Sequence, residues 1–291
     1  MAGFVEIFEV GPRDGLQNEP GLIDLAQKVA LVDCLSRAGF RRIECASFVS
    51  PKWVPQMADS DALMTRITRS GGVLYAALTP NIKGLERAIE ADIDEVAIFG
   101  AASEGFSKAN INASRYEALE RFRPLVALAK EADLPVRGYV SCVVECPYDG
   151  PVPPEEVARS VAGLRDLGCF EISLGETLGR ARPEAVEEML CAVLQELPPE
   201  QLAGHFHDTQ GRALANVDVA LDHGLRVFDA AIGGLGGCPY APGAAGNLAT
   251  QSLNEHLVSK GYETMLDPKI LNEAARMAHS IRSKSPKKRP T

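Results

Sequence analysis

The sequence predicts an α/β protein of the (β/α)8 TIM-barrel class, a single domain over residues 1–291 with one additional C-terminal helix. Two observations carry that prediction. Strand-like apolar runs alternate with amphipathic runs, strand then loop then helix, eight times along the chain. Such alternation gives parallel strands joined by crossover helices. The length of 291 residues suits eight closed units better than a small open sheet. No linker, low-complexity run or shift of composition marks a second domain.

Taken in order, the first strand is expected over residues 5–10, where apolar and polar side chains alternate, and a helix follows over 25–38. Gly39 then closes that helix, in the position where a left-handed cap favours glycine. Further strands are expected over 42–47, 73–78 and 95–99. Ser114 has the character of a helix start before the amphipathic run 115–132, and a fifth strand is expected over 136–142. Pro153 and Pro154 open a helix over 155–167, which Gly168 ends. Strand 170–174 leads to helix 183–197, and strand 202–207 to helix 213–223 with Gly224 after it. The eighth strand is expected over 227–232, and an outer helix over 268–281. Residues 284–291 hold the only basic cluster and are read as a solvated, disordered tail.

Bulk properties exclude several function classes. With 46% apolar residues and 291 positions, the chain can bury a core that needs no covalent staples. Its seven cysteines, an odd count with no secretory signal, are therefore read as reduced thiols. The N-terminus runs straight into the first strand, and no apolar run reaches the ~20 residues of a membrane span, so a cytoplasmic protein is expected. A net charge of −9 argues against a nucleic-acid partner.

In this fold class the active site lies at the C-terminal ends of the strands, and polar residues concentrate there. Strand one ends in Gly11-Pro12-Arg13-Asp14-Gly15-Leu16-Gln17. Strand two carries Glu44 and Ser47, strand five Tyr139 and Ser141, and strand six Ser173 and Glu176. Strand seven carries His205 and His207, and the loop after strand eight holds Cys238 and Asn247. Two residues apart on a strand, the two imidazoles share a face. Alone, such a pair is equally a pair of hydrogen-bonded core histidines. Asp14 and Asn247 at the same rim turn the reading toward a metal. Two imidazoles, a carboxylate and an amide oxygen suit Mg2+ or Mn2+. Arg13 keeps its charge and its planar donors, which fits it to stabilise a developing oxyanion, and Glu44 is expected to hold it. Cys238 sits in the glycine-rich stretch 233–243, whose glycines permit a hinge that could carry the thiol over the metal. The Cys142/Cys146 pair lacks the second pair that a zinc site needs.

At these motifs the sequence resembles the 3-hydroxy-3-methylglutaryl-CoA lyase family along nearly its whole length. The stretches that carry the resemblance are EVGPRDGLQNE (9–19), IECASFVSPKWVPQMAD (43–59), FGAASEGFSKANIN (99–112), RGYVSC (137–142), HFHDT (205–209) and GGLGGCPYAPGAAGN (233–247). The resemblance implies divalent-metal ligands at Asp14, His205, His207 and Asn247, a catalytic Arg13, and Cys238 as a mobile acid/base. It also implies substrate contacts at Gln17, Glu44, Ser47, Tyr139, Ser173 and Thr177, with Lys108 and Asn110 near the CoA. The implied reaction is metal-dependent cleavage of the acyl-CoA to acetyl-CoA and acetoacetate, in a homodimer of barrels. Glu176 departs from the family pattern, where aspartate usually precedes the threonine, and it is counted with the substrate-side residues. Related acyl groups (a citramalyl or longer 3-hydroxyglutaryl analogue), a condensing barrel synthase and a non-catalytic barrel are the alternatives. The cysteine stretch argues against the synthase, and the intact ligand set against the non-catalytic barrel.

Overall fold

All eight expected strands form. In the computed structural model, which describes residues 3–236 and 246–284, they are β1 (Glu6–Glu9), β2 (Arg42–Ser47), β3 (Leu74–Leu78), β4 (Glu95–Ala101), β5 (Val136–Ser141), β6 (Glu171–Glu176), β7 (Leu202–Phe206) and β8 (Val227–Ala230). Every strand pairs in parallel with its neighbours in sequence, and β8 pairs with β1 to close the barrel. The helices are α1 (Leu25–Ser36), α2 (Ser60–Arg66), α3 (Ile82–Glu90), α4 (Glu104–Ile111), α5 (Arg115–Glu131), α6 (Pro154–Leu167), α7 (Pro183–Val193), α8 (Ala213–Asp222), α9 (Thr250–Ser259) and α10 (Pro268–Lys284). Among these described residues no helix is long and apolar enough to cross a membrane.

The punctuation read from the sequence has its physical basis in the structure. Ser114 accepts from the Glu117 amide while the Glu117 carboxylate accepts from the Ser114 amide, a complete capping box at the start of α5. Gly168 caps α6 in the left-handed region, and Gly39 and Gly224 adopt the same conformation. Two expected boundaries need correction. β8 stops at Ala230, because Ile232–Gly234 coils into a 3-10 turn. α7 ends at Val193, four residues short of the expected 197. After β1, Gly11–Gly15 forms a π-helical turn, a conformation frequently found at functional sites. The tail from 285 onward and the segment 237–245, which includes Cys238, lie outside the described residues.

The barrel interior is charged toward the N-terminal ends of the strands. Arg42 pairs with Glu6 at 2.7 Å, Glu171 at 3.0 Å and Glu95 at 3.4 Å. Arg137 pairs with Glu171 at 2.6 Å and Asp229 at 2.7 Å, and its guanidinium and that of Arg42 both lie against the Phe8 ring. Buried charges persist only where partners surround them. Glu95 is the weak member: Oε1 has no partner, and burial pushes its carboxyl up to about 7 despite Arg42 and Arg137. A carboxyl raised in the folded state binds more protons than in the unfolded chain, so stability falls as pH rises from about 4.5 toward 7. Glu95→Gln removes that penalty. Thermal melts should therefore show the variant gaining stability relative to the parent between pH 5 and pH 8. A pH-independent difference would mean that Glu95 stays ionised throughout.

Candidate metal centre

The site is assembled at the C-terminal mouth, beginning with β7. His205 lies within that strand and His207 one residue past its end, so both imidazoles point inward. His205 Nδ1 donates to Asp229 Oδ2 on β8 at 3.0 Å, which leaves Nε2 with its lone pair toward the mouth. His207 Nε2 lies 3.3 Å from His205 Nε2. Ligand bonds of about 2.1 Å set at right angles place their donor atoms roughly 3 Å apart, so the two nitrogens stand at the spacing of neighbouring ligands on one small cation. Asp14 is the third member, with all three ligand atoms within 4.8 Å of one another. It is the one such group of three among the described residues.

The electrostatics agree with a cation site. Burial by itself would raise the Asp14 carboxyl, but Arg13, His205 and the Asn247 amide outweigh it and hold it below the usual carboxylate range. Burial, followed by the neighbouring His205, pushes His207 down to about 4, so its ring is neutral and able to ligate near pH 7. For His205 burial works in the same direction, but the Asp229 hydrogen bond and charge reverse it and raise the imidazole. His207 Nδ1 is buried without a hydrogen-bond partner. Asn247 bridges to the His207 backbone, and its Nδ2 donates to Asp14 Oδ2 at 2.7 Å and to the Leu235 carbonyl at 3.2 Å. To ligate a cation it must turn its amide so that Oδ1 replaces Nδ2. A positive charge beside Asp14 would favour that turn.

Arg13 is fixed from two sides. Its Nε donates to Glu44 Oε2 at 2.6 Å and its Nη1 to Asp14 Oδ1 at 2.8 Å. Tyr139 donates its hydroxyl to the same Glu44 oxygen at 3.1 Å, and the guanidinium lies 5.5 Å from the centre of the Tyr139 ring. Glu44 therefore holds Arg13, as the sequence suggested. Glu44 and Ser47 are three apart and would face opposite sides of a regular strand. A register shift between Glu44 and Ala46 removes the conflict, pairing Ser47 with Leu78, which packs with Tyr139 and Ala97 inside the barrel. Gln17 Oε1, Glu44 Oε1 and Ser47 Oγ are buried without partners. Groups left in this state mark places where bound water or ligand completes the bonding.

Not every residue singled out from the sequence belongs to this inner surface. Ser173 Oγ donates to Asp229 at 2.7 Å, beneath His205. Thr177 Oγ1 accepts from the Cys142 amide at 2.9 Å and so pins the end of β6 to the end of β5. Glu176 has the opposite parity to Ser173 and turns outward, where Oε1 accepts from the Arg180 amide at 3.2 Å and Oε2 has no partner. Lys108 and Asn110 are exposed on α4, just beyond the end of β4. Sequence reasoning missed Asp229, which receives His205, Ser173 and Arg137. Its signal was an aspartate in the middle of an apolar strand, flanked by Phe228 and Ala230.

A closed parallel barrel with two histidines, an aspartate and an anchored arginine at its C-terminal mouth defines a metal-dependent barrel enzyme. Residues 4–278 match the HMGL-like family, and the chain belongs to that family. It is 52% identical over 263 residues to the hydroxymethylglutaryl-CoA lyase of Pseudomonas mevalonii, covering 90% of this chain and 87% of that protein. It is 50% identical over 281 residues to a Pseudomonas aeruginosa 3-hydroxy-3-isohexenylglutaryl-CoA/hydroxy-methylglutaryl-CoA lyase, covering 97% and 94%. The crystal structure of the Brucella melitensis HMG-CoA lyase superposes with a TM-score of 0.96 at 54% identity, covering 97% of this chain and all of that one.

Asp229→Asn should weaken the hold on the His205 tautomer and lower Mn2+ affinity by about 10- to 100-fold, the range for groups that orient a ligand. Titration calorimetry on metal-depleted protein checks this. Unchanged affinity in a folded variant would show that Asp229 serves only the barrel core.

Proposed function

We propose that the chain is a divalent-metal-dependent carbon–carbon lyase that cleaves 3-hydroxy-3-methylglutaryl-CoA to acetyl-CoA and acetoacetate. The observation that carries the reading is the meeting of Asp14, His205 and His207 in one cluster with Arg13 bonded to Asp14 at 2.8 Å. Relatives at 50–52% identity bear the corresponding activity in their names. Mg2+ or Mn2+ is favoured by two imidazole nitrogens and a carboxylate, with the Asn247 amide beside them and no thiolate among the described ligands.

A divalent ion held by these groups supplies Lewis acidity that makes a 3-hydroxyl easier to deprotonate. The residues of the chain do the rest. Asp14, ionised and facing the mouth, accepts the hydroxyl proton or orients the group that does. The oxygen lone pair then forms the ketone as the bond between C2 and C3 breaks, and the departing pair becomes the thioester enolate. Arg13 cannot swing away, because Glu44 and Asp14 hold both edges of its guanidinium, so its remaining donors meet the enolate oxygen in place. Protonation of C2 completes acetyl-CoA, and the family resemblance gives that proton to Cys238. Lys108 and Asn110, exposed on α4 just beyond the end of β4, are the residues that the family resemblance gives to the CoA portion. A homodimer in the cytoplasm is part of the same proposal, and sedimentation of the purified protein tests its assembly.

A second reading concerns the acyl group. The Pseudomonas aeruginosa relative is named for a substrate with an isohexenyl group at C3 as well as for the methyl one. A longer 3-hydroxyglutaryl analogue is therefore a companion substrate worth assaying beside the methyl compound.

Purified protein with Mg2+ or Mn2+ should convert 3-hydroxy-3-methylglutaryl-CoA to equal amounts of acetyl-CoA and acetoacetate, and chelation should stop turnover until metal is returned. Full turnover by metal-stripped protein, or no cleavage of either glutaryl substrate, overturns the proposal. Arg13→Gln should lower kcat by about 10²- to 10³-fold with little change in KM, as expected for a donor used in the transition state. A change confined to KM would make Arg13 a binding residue.

A further inference from the structure

We infer that Glu9, which touches neither the metal cluster nor the mouth, is a positioning residue that sets the distance between the two halves of the metal site. The inference rests on the metal-site reading above. Phe8 faces the barrel interior against Arg42 and Arg137, so Glu9, the next residue on β1, points out of the barrel. There it is completely buried, in a place where an apolar residue would ordinarily pack.

Its carboxylate joins three segments that are remote in sequence. Oε1 accepts from the Gly11 amide at 2.8 Å and from the Ile232 amide at 2.8 Å, and Oε2 accepts from the Thr250 hydroxyl at 2.7 Å. Gly11 opens the π-helical turn that carries Arg13 and Asp14. Ile232 opens the turn that follows β8, and Thr250 opens α9 three residues after Asn247. The same three segments meet on the other side of the rim, where Asn247 donates to Asp14 and to the Leu235 carbonyl. Glu9 is thus the rear clasp of a closed ring whose front is the Asp14–Asn247 contact. The residue at 11 must also be small. A Cβ there would lie 2.5 Å from Glu9 Oε1, so glycine is what lets the turn approach the carboxylate.

Burying a carboxyl here is costly, and its ionisation is pushed up to about 7 by desolvation against three hydrogen bonds that favour the charged form. An apolar residue of the same size would leave the Gly11 and Ile232 amides without acceptors. Neither of the other two anchors of the site needs such help. His205 is fixed through Asp229 to the barrel interior, and His207 continues β7. Backbone bonds hold the Asn247 segment to the ends of β7 and β8, through Leu248 to Phe206 and Thr250 to Ala231. Asp14, in contrast, sits on the π-helical turn outside the sheet, and the Glu9 carboxylate ties that turn to Ile232 and Thr250 from behind.

The test is Mn2+ binding to the metal-depleted full-length chain, with kcat and KM measured on the reloaded enzyme. Glu9→Leu should weaken Mn2+ binding by about 10-fold or more and lower kcat, with KM for the acyl-CoA changed by less than about 3-fold. Glu9→Gln keeps an oxygen for the two amides and should restore Mn2+ affinity to within about 3-fold of the parent. If Glu9→Leu fails to fold, Thr250→Val removes only the α9 arm and should still weaken Mn2+ binding. Val193→Ala, a core truncation at the C-terminal end of α7 and so at the face of the barrel opposite the mouth, lowers the melting temperature by cavity formation and should leave Mn2+ affinity alone. Parental Mn2+ affinity in folded Glu9→Leu or Thr250→Val, or losses that simply follow the melting temperature, overturns the positioning role. Failure of the parent chain itself to bind Mn2+ overturns the metal reading, and the clasp with it.

Discussion

The carboxylate of Asp229 is fully buried and receives side chains from three other strands: Arg137 on β5, Ser173 on β6 and His205 on β7. Arg137 and His205 together hold it well below the usual carboxylate range against the cost of burial. From Arg137 the contacts run to Glu171, then to Arg42, and from Arg42 to Glu6 and Glu95. A column of charges thus crosses the barrel interior and ends on an imidazole at its mouth. Removing any one member would strand a buried charge, which is why the orientation of His205 is inherited from barrel closure itself. A ligand fixed in this way costs nothing to order when the ion binds.

The opposite side of the mouth is built differently. Arg13 and Asp14 stand on a π-helical turn, and Asn247 on the segment that precedes α9. Arg13 and Asp14 are placed by side chains reaching across, Glu44 to Arg13, Asn247 to Asp14 and Glu9 behind them, while backbone bonds tie the Asn247 segment to the ends of β7 and β8. One half of the site is therefore part of the sheet, and the other half hangs from it by specific hydrogen bonds. That division suits a site whose rigid half holds the ion while the other presents an arginine to a changing substrate.

The alternation of runs, the helix caps and the inward-facing His205/His207 pair were legible in the sequence because each follows from local chemistry. Glycine at 39, 168 and 224 ends helices for a reason visible in one residue, and His205 and His207 share a face because strands repeat every two residues. Interactions set by tertiary geometry were not legible. The shift after Glu44 that lets Ser47 face inward leaves no mark in composition. Strict alternation already turned Glu176 outward from Ser173, but its place beside Thr177 in the motif drew attention to the mouth. Asp229 was passed over because it looked like an isolated charge until the barrel brought Arg137 and His205 to it. Glu9 was hidden in the same way, since two of its three partners lie more than two hundred residues away.

The site geometry meets its most direct test in anomalous diffraction from crystals of this chain soaked with Mn2+. A single strong peak bonded to Asp14, His205 Nε2 and His207 Nε2, with the Asn247 amide turned to present its oxygen, is the expected result. A crystal that takes up no ion at this rim, or one whose ion sits away from the two Nε2 nitrogens, contradicts it.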